Sequence, residues 1–294
     1  MGTDILCIGS VLWDVIGRAP CDMHQGADVA GEITRLPGGV ALNIARTCAQ
    51  FDLRPILLSA VGQDRSGDEL LAACVEMGLV TAHVHRAAGH ATDRYMAVEG
   101  ANGVVAAIAD ARTLEAAGEA ILDPLLSGAL ATQDAPFPGL VSLDGNLTQE
   151  LLTQLAQSPM LARADLRLAP ASPGKAERLR PFVEAGRGVL YVNCEEAGRV
   201  CGTRFATSQA AAETLIERGA ARAIVTHGGD AATDATSDGA VSAVPAAIEV
   251  KRLTGAGDTF MAAHIAAETK GADRRTALQE ALGTAGAFVA GTDP

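Results

Sequence analysis

Short apolar runs alternate with amphipathic stretches along almost the whole of this 294-residue chain. Residues 4–9 (DILCIG), 54–62 (RPILLSAVG), 140–143, 165–169, 188–193 and 223–226 have the length and composition of buried strands. Between them, residues 67–77, 148–157, 174–185 and 208–218 repeat apolar side chains at helical spacing, and two long helices, about 256–270 and 274–290, close the chain. Strands buried on both faces need a crossover before the next parallel neighbour. The alternation therefore predicts an α/β fold with a doubly wound, mostly parallel sheet. Open sheets of this kind reach such a length as one unit, so residues 1–294 are expected to form a single domain.

Two segments break the rhythm. Residues 17–36 are polar with little helical period, and residues 95–110 read as a hairpin turning at Asn102-Gly103. Together they form either a small β-sheet on one edge of the body or two ordinary surface excursions.

The formal net charge is −12 and only 3% of residues are aromatic, which excludes nucleic-acid and anionic-membrane partners. The six cysteines form no C-x-x-C pair and no signal peptide is evident, so they read as reduced thiols of a cytoplasmic protein. No apolar run is long enough to span a membrane.

The strongest chemical motif is Leu253-Thr254-Gly255-Ala256-Gly257-Asp258, which opens the first of the two closing helices. Small residues let the backbone approach a ligand, and the helix N-terminus directs its amides at an anion. Asp258 falls in the first helical turn, where a carboxylate is expected to stay ionised and to accept a proton from an attacking hydroxyl. Taken alone, the segment is equally a tight loop before a helix. Pro37-Gly38-Gly39-Val40-Ala41-Leu42-Asn43 opens another helix, with Asn43 either on a substrate hydroxyl or in solvent. Asp14 follows the first strand, where open sheets place ligand groups. Asn193 and Glu196 are spaced either to order water around Mg²⁺ or to cap a helix mutually. Thr226 and Gly228 end a strand, where they could line a nucleotide. No Walker-type loop is present, and no G-x-G-x-x-G follows the first strand, which removes a dinucleotide-binding oxidoreductase.

In this order the motifs resemble the ribokinase-like (PfkB) family of carbohydrate and nucleoside kinases: G-S-x-x-x-D at 9–14, G-G-x-x-x-N at 38–43, N-x-x-E-A at 193–197, V-T-x-G at 225–228 and T-G-A-G-D at 254–258. The resemblance implies a three-layer α/β/α body with a β-sheet lid, in segments about 15–37 and 92–110, and ATP-dependent phosphorylation of a sugar-type CH₂OH. It implies Asp258 as base and Gly255, Ala256 and Gly257 as an anion hole. Asn193, Thr226, Gly228 and Thr254 would serve the nucleotide, and Glu196 its Mg²⁺. Asp14, Gly38, Gly39 and Asn43 would hold the acceptor.

Residues 143–147 (LDGNL), 170–181 and 92–110 look in addition like the corresponding segments of pseudouridine kinases. That resemblance implies pseudouridine as acceptor, with adenosine, ribose or a ketose as alternatives. It places Arg94, Asp110 and Asn146 at the substrate and Lys175 at the cofactor. It also implies a homodimer through the lid, as in many relatives. The other class of function on this fold is a catalytically silent binding protein, and the retained Asp258 argues against it.

Several positions depart from the pattern: Ala169 stands for the usual Asp of the pseudouridine-kinase segment, and Ala231 for the second Gly after V-T-x-G, which leaves the nucleotide contact there in doubt. Asp93 and Arg94 stand where small residues are usual, and are expected to pair at the lid. Arg252 replaces an Asp that in many members helps bind a monovalent cation. Its guanidinium is expected to substitute for that cation, or the cation site is lost.

Overall fold

The computed structural model describes residues 2–132, 134–252 and 254–292; Leu253, which begins the last motif, lies outside them. In chain order the first strands are β1 (Asp4–Ile8), β2 (Leu12–Arg18), β3 (Glu32–Gly38), β4 (Arg54–Leu58), β5 (Ala60–Gly62), β6 (His85–Ala87), β7 (Arg94–Gly100) and β8 (Gly103–Asp110). They continue as β9 (Leu140–Asp144), β10 (Asp165–Ala169), β11 (Val189–Asn193), β12 (Arg222–His227), β13 (Asp230–Thr236) and β14 (Gly239–Ala243).

The main sheet has the order β14-β13-β12-β11-β10-β9-β1-β4, parallel from β12 to β4 with β13 and β14 antiparallel at one edge. Strand alternation makes the layers. Ile5 and Cys7 of β1 join the core under helices Val40–Gln50, Ala256–Thr269 and Arg274–Val289. Leu6 and Ile8 join the core under helices Gln149–Gln157, Cys194–Cys201 and Ser208–Glu217. A second sheet, β3-β2-β7-β8, carries both segments that break the sequence rhythm.

Two expectations are corrected, and one pair of strands went unpredicted. Residues 54–62 divide at Ser59: β4 joins the main sheet, while β5 pairs with β6. Residues 174–185 form 3₁₀ turns at Pro173–Leu179 and a short helix Arg180–Glu184, because proline is accommodated only in a first helical turn. The β13–β14 edge is Ala-, Thr- and Asp-rich and carries no apolar strand signal.

A buried polar network fixes the Ala256–Thr269 helix on the sheet. Arg167 of β10 donates to Glu268 and to the Tyr191 hydroxyl (2.9 Å). Arg222 bridges Glu268 and Asp234, and Arg274 donates to Asp234. The Tyr191 hydroxyl accepts from Arg167 and lies 3.0 Å from His264 Nδ1. Burial holds His264 at about pKa 4, so the ring is neutral.

Candidate active site

Register sets Asp144 beside Ala169 and Asn193 beside Thr226, so the carboxyl ends of β9 to β12 lie level. Beyond them opens a cleft of 490 Å³, where an open α/β sheet offers room for ligands. Leu12, Asp14, Tyr95 and Ala109 of the second sheet line it on one side, and Gly255, Gly257 and Asp258 at the start of the Ala256–Thr269 helix line it on another.

Gly255 caps this 14-residue helix at φ 88° with no side-chain cap, so the first-turn amides are left for a ligand. The cap is tight: a β-carbon on Gly255 would lie 3.2 Å from Phe288 Cζ. Thr254 lines the cleft just before it; the side chain of Ala256 does not, although its amide begins the helix. Asp258 accepts a hydrogen bond from Asn43 Nδ2 at 2.9 Å. Burial pushes its carboxyl up to about 7, helped by the charges of Asp144 and Glu196 and opposed by Asn43 and Arg46. The sequence argument expected a carboxylate held ionised by the helix terminus; burial outweighs that effect.

Asp14 faces the cleft from β2, and burial raises it to about 6. Gly38 does not line the cleft; it makes room for Asp14, because a β-carbon there would overlap the Asp14 carboxylate. Gly39 caps the Val40–Gln50 helix at φ 99°, and its bare α-carbon lies against the Ser10 carbonyl. Asn146 lines the cleft and accepts from Lys175 Nζ at 2.7 Å. Lys175 thus meets the acceptor-side asparagine, and burial lowers its pKa. Ser10 and Tyr95 line the same region and went unpredicted. Tyr95 pairs across strands with Asp14, so the two share a face of the second sheet.

Asn193 and Glu196 form a mutual capping box, with contacts of 2.9 and 2.8 Å, and both also line the cleft. The capping alternative is thus observed, on a pair that also faces the cleft. Burial raises Glu196 to about 7. Among the described residues no group of three or more acidic, His or Cys side chains could hold a metal ion. The buried Glu196 carboxylate and its repulsion of Asp258 fit a cation that keeps most of its own waters. Thr226 lines the cleft, whereas Gly228 turns between β12 and β13 outside it.

Arg94 and Asp110 are not brought to the cleft. Arg94 neighbours Tyr95 on β7 and so points from the opposite face, and Asp110 pairs with Arg94 in register and bonds to Arg112. Nor does Asp93 pair with Arg94; its buried carboxylate accepts from the Thr113 and Leu114 amides, each at 2.9 Å.

Fold and site together define a phosphotransferase acting on an alcohol. The model of the pfkB family of carbohydrate kinases matches residues 2–293, and the chain belongs to that family. Pseudouridine kinase of Escherichia coli K12 is 26% identical over 273 residues, covering 88% of this chain and 81% of that protein. Guanosine-inosine kinase of Exiguobacterium acetylicum is 26% identical over 298 residues, covering 98% and 95%. Among solved structures, the Thermotoga maritima ribokinase superposes with TM-score 0.80 at 18% identity, covering 100% of this chain and 96% of that one. Arabidopsis thaliana ribokinase complexed with ribose and ATP gives 0.79 at 18% identity, covering 98% and 93%.

Proposed function

We propose that the chain transfers the γ-phosphoryl group of ATP to the primary hydroxyl of a nucleoside, pseudouridine first, with Asp258 as the base. The observation that carries this is a half-buried carboxyl near pKa 7 beside an uncapped helix N-terminus in the same cleft. A base of that pKa is half ionised at neutral pH, and the adjacent amides would stabilise charge on the transferred group. Asp14 and Asn146 would hold acceptor hydroxyls, and Tyr95 offers a planar face for a base. Two relatives of this chain are named for nucleosides, which favours that class of acceptor over a plain sugar. Glu196 and Asn193 would hold Mg²⁺ through water; the ion neutralises phosphate charge when bound.

Three further features belong to this reading. The second sheet closes over the cleft as a lid. The Arg252 guanidinium replaces a monovalent cation beside the anion hole. The chain pairs with a second copy through the lid.

The test is ADP release with pseudouridine, uridine, guanosine, adenosine, ribose and fructose, for wild type and Asp258→Asn. Pseudouridine is expected to give the highest kcat/KM, and the variant to lose at least about 100-fold, the lower end of what general-base catalysis contributes. A preference for ribose or fructose overturns the nucleoside assignment; an undiminished variant overturns the base.

A further inference from the structure

Asp144 closes β9 beneath the cleft and is 1% exposed without lining it. Its Oδ2 accepts from the Ser10 amide (2.7 Å), the Ser10 hydroxyl (3.0 Å) and the Ala41 amide (3.0 Å); its Oδ1 accepts from the Asn146 amide (2.7 Å). Burial pushes its pKa up and these donors pull it down. Counting protons settles which form the contacts fit. Lys175 donates to Asn146 Oδ1, which turns Asn146 Nδ2 toward Ser10 Oγ at 2.8 Å. Ser10 Oγ also accepts from the Val40 amide at 2.9 Å, so its single hydrogen points to Asp144. Every hydrogen-bonding neighbour of Asp144 donates, and the arrangement is made for a carboxylate.

Three segments of chain meet on that one group: the turn after β1, the first turn of the Val40–Gln50 helix, and the loop after β9. The helix carries Asn43, which bonds to Asp258, and the loop carries Asn146, which bonds to Lys175. The backbone is drawn in so closely that a β-carbon on Gly9 would overlap the Asp144 carboxylate. A buried charge is costly unless it is hydrogen-bonded, and these four donors offset that cost.

We propose that Asp144 is a positioning residue for the transfer reaction, holding the acceptor-binding segments in register with Asp258 through the Val40–Gln50 helix. This rests on Asp258 being the base. Misplacing reacting groups by about 1 Å costs on the order of 100-fold in rate, so a distant carboxylate that sets register acts on turnover. Its charge also faces Asp258, together with Glu196 from the Cys194–Cys201 helix, while Asn43 and Arg46 on the Val40–Gln50 helix oppose them.

The experiment compares wild type, Asp144→Asn, Gly9→Ala and Asp258→Asn with ATP and the acceptor that the panel selects. Asp144→Asn should lower acceptor kcat/KM about 100-fold, leave KM for ATP nearly unchanged, and move the acid limb of the pH profile to lower pH. Gly9→Ala displaces the carboxylate while keeping its charge and every cleft-lining side chain. It should reproduce the acceptor defect, and it decides the matter if Asp144→Asn does not fold. Wild-type acceptor kinetics in either variant overturn the proposal. So does an equal loss for both substrates with an unmoved acid limb, which would mark a merely structural residue. Asp258→Asn separates the two ideas: if it is inactive while Asp144→Asn is intact, only the role of Asp144 falls; if it is fully active, the base assignment falls first.

Discussion

At the start of the Ala256–Thr269 helix two effects act on Asp258 in opposite directions. A helix N-terminus favours an anion by about 0.3–1 kcal/mol at an exposed site. The rise from 3.8 to about 7 corresponds to roughly 4 kcal/mol at 1.36 kcal/mol per pKa unit, so burial wins. If Asp258 is the base as proposed, it works deprotonated, so kcat/KM should climb as pH rises toward about 7 and level off above it. Asn43 bonds to the charged form and holds the pKa down. Asn43→Leu should therefore move the acid limb to higher pH, by about one unit for a lost charge-assisted hydrogen bond. A pH–rate series on both proteins checks this; a limb that stays in place or moves down contradicts it. At this scale Asp14, Asn43 and Asp258 were legible because each stands in a motif with a stated geometry. Arg94 was misplaced because a strand's two-residue period, once its register is known, gives the cleft to Tyr95 and turns Arg94 away. Ser10 and Asp144 were quoted in motifs but given no role, since only the fold brings residues 134 apart in sequence onto one hydrogen bond.

At the scale of elements, Arg252 packs against the end of the Arg274–Val289 helix. Its Nε donates to the Phe288 carbonyl at 2.6 Å, and its guanidinium stacks 3.8 Å from the Phe288 ring centroid. Phe288 lies in the last turn of the Arg274–Val289 helix, where its carbonyl also accepts from the Gly291 amide at 3.0 Å, and its ring stands where a β-carbon on Gly255 would meet it. On the proposed reading this guanidinium is the fixed cation beside the anion hole. Activity should change by less than about twofold when K⁺ replaces a bulky organic cation at constant ionic strength, because the short-range charge is covalently supplied. A severalfold rise with K⁺ contradicts it. Elements were legible where burial on both faces enriches a strand in Val, Ile and Leu, as in β1, β4 and β11. The β13–β14 edge was not, because its pairing rests on tertiary partners such as Arg222 and Arg274 on Asp234 rather than on apolar pattern.

For the molecule as a whole, the second sheet poses a problem of exposed apolar surface. Ile33 is 78% exposed, Ile108 63% and Met96 46%, and register puts all three on one face. An exposed apolar face of that kind marks an interaction surface, and the proposed occupant is the same sheet of a second copy. Two copies of net charge −12 repel each other at long range, so apolar burial has to outweigh that repulsion. This fixes the sign of the salt dependence: screening weakens the repulsion and leaves apolar contact intact, so the dimer should tighten as ionic strength rises from about 0.01 to about 0.15 M. An interface built on ion pairs would loosen over the same range. Sedimentation of wild type and of the Ile33→Arg, Ile108→Arg double variant measures both effects. The variant should be a folded monomer, and a wild type that is monomeric throughout, or a dimer that ignores the double substitution, removes the second sheet as the interface.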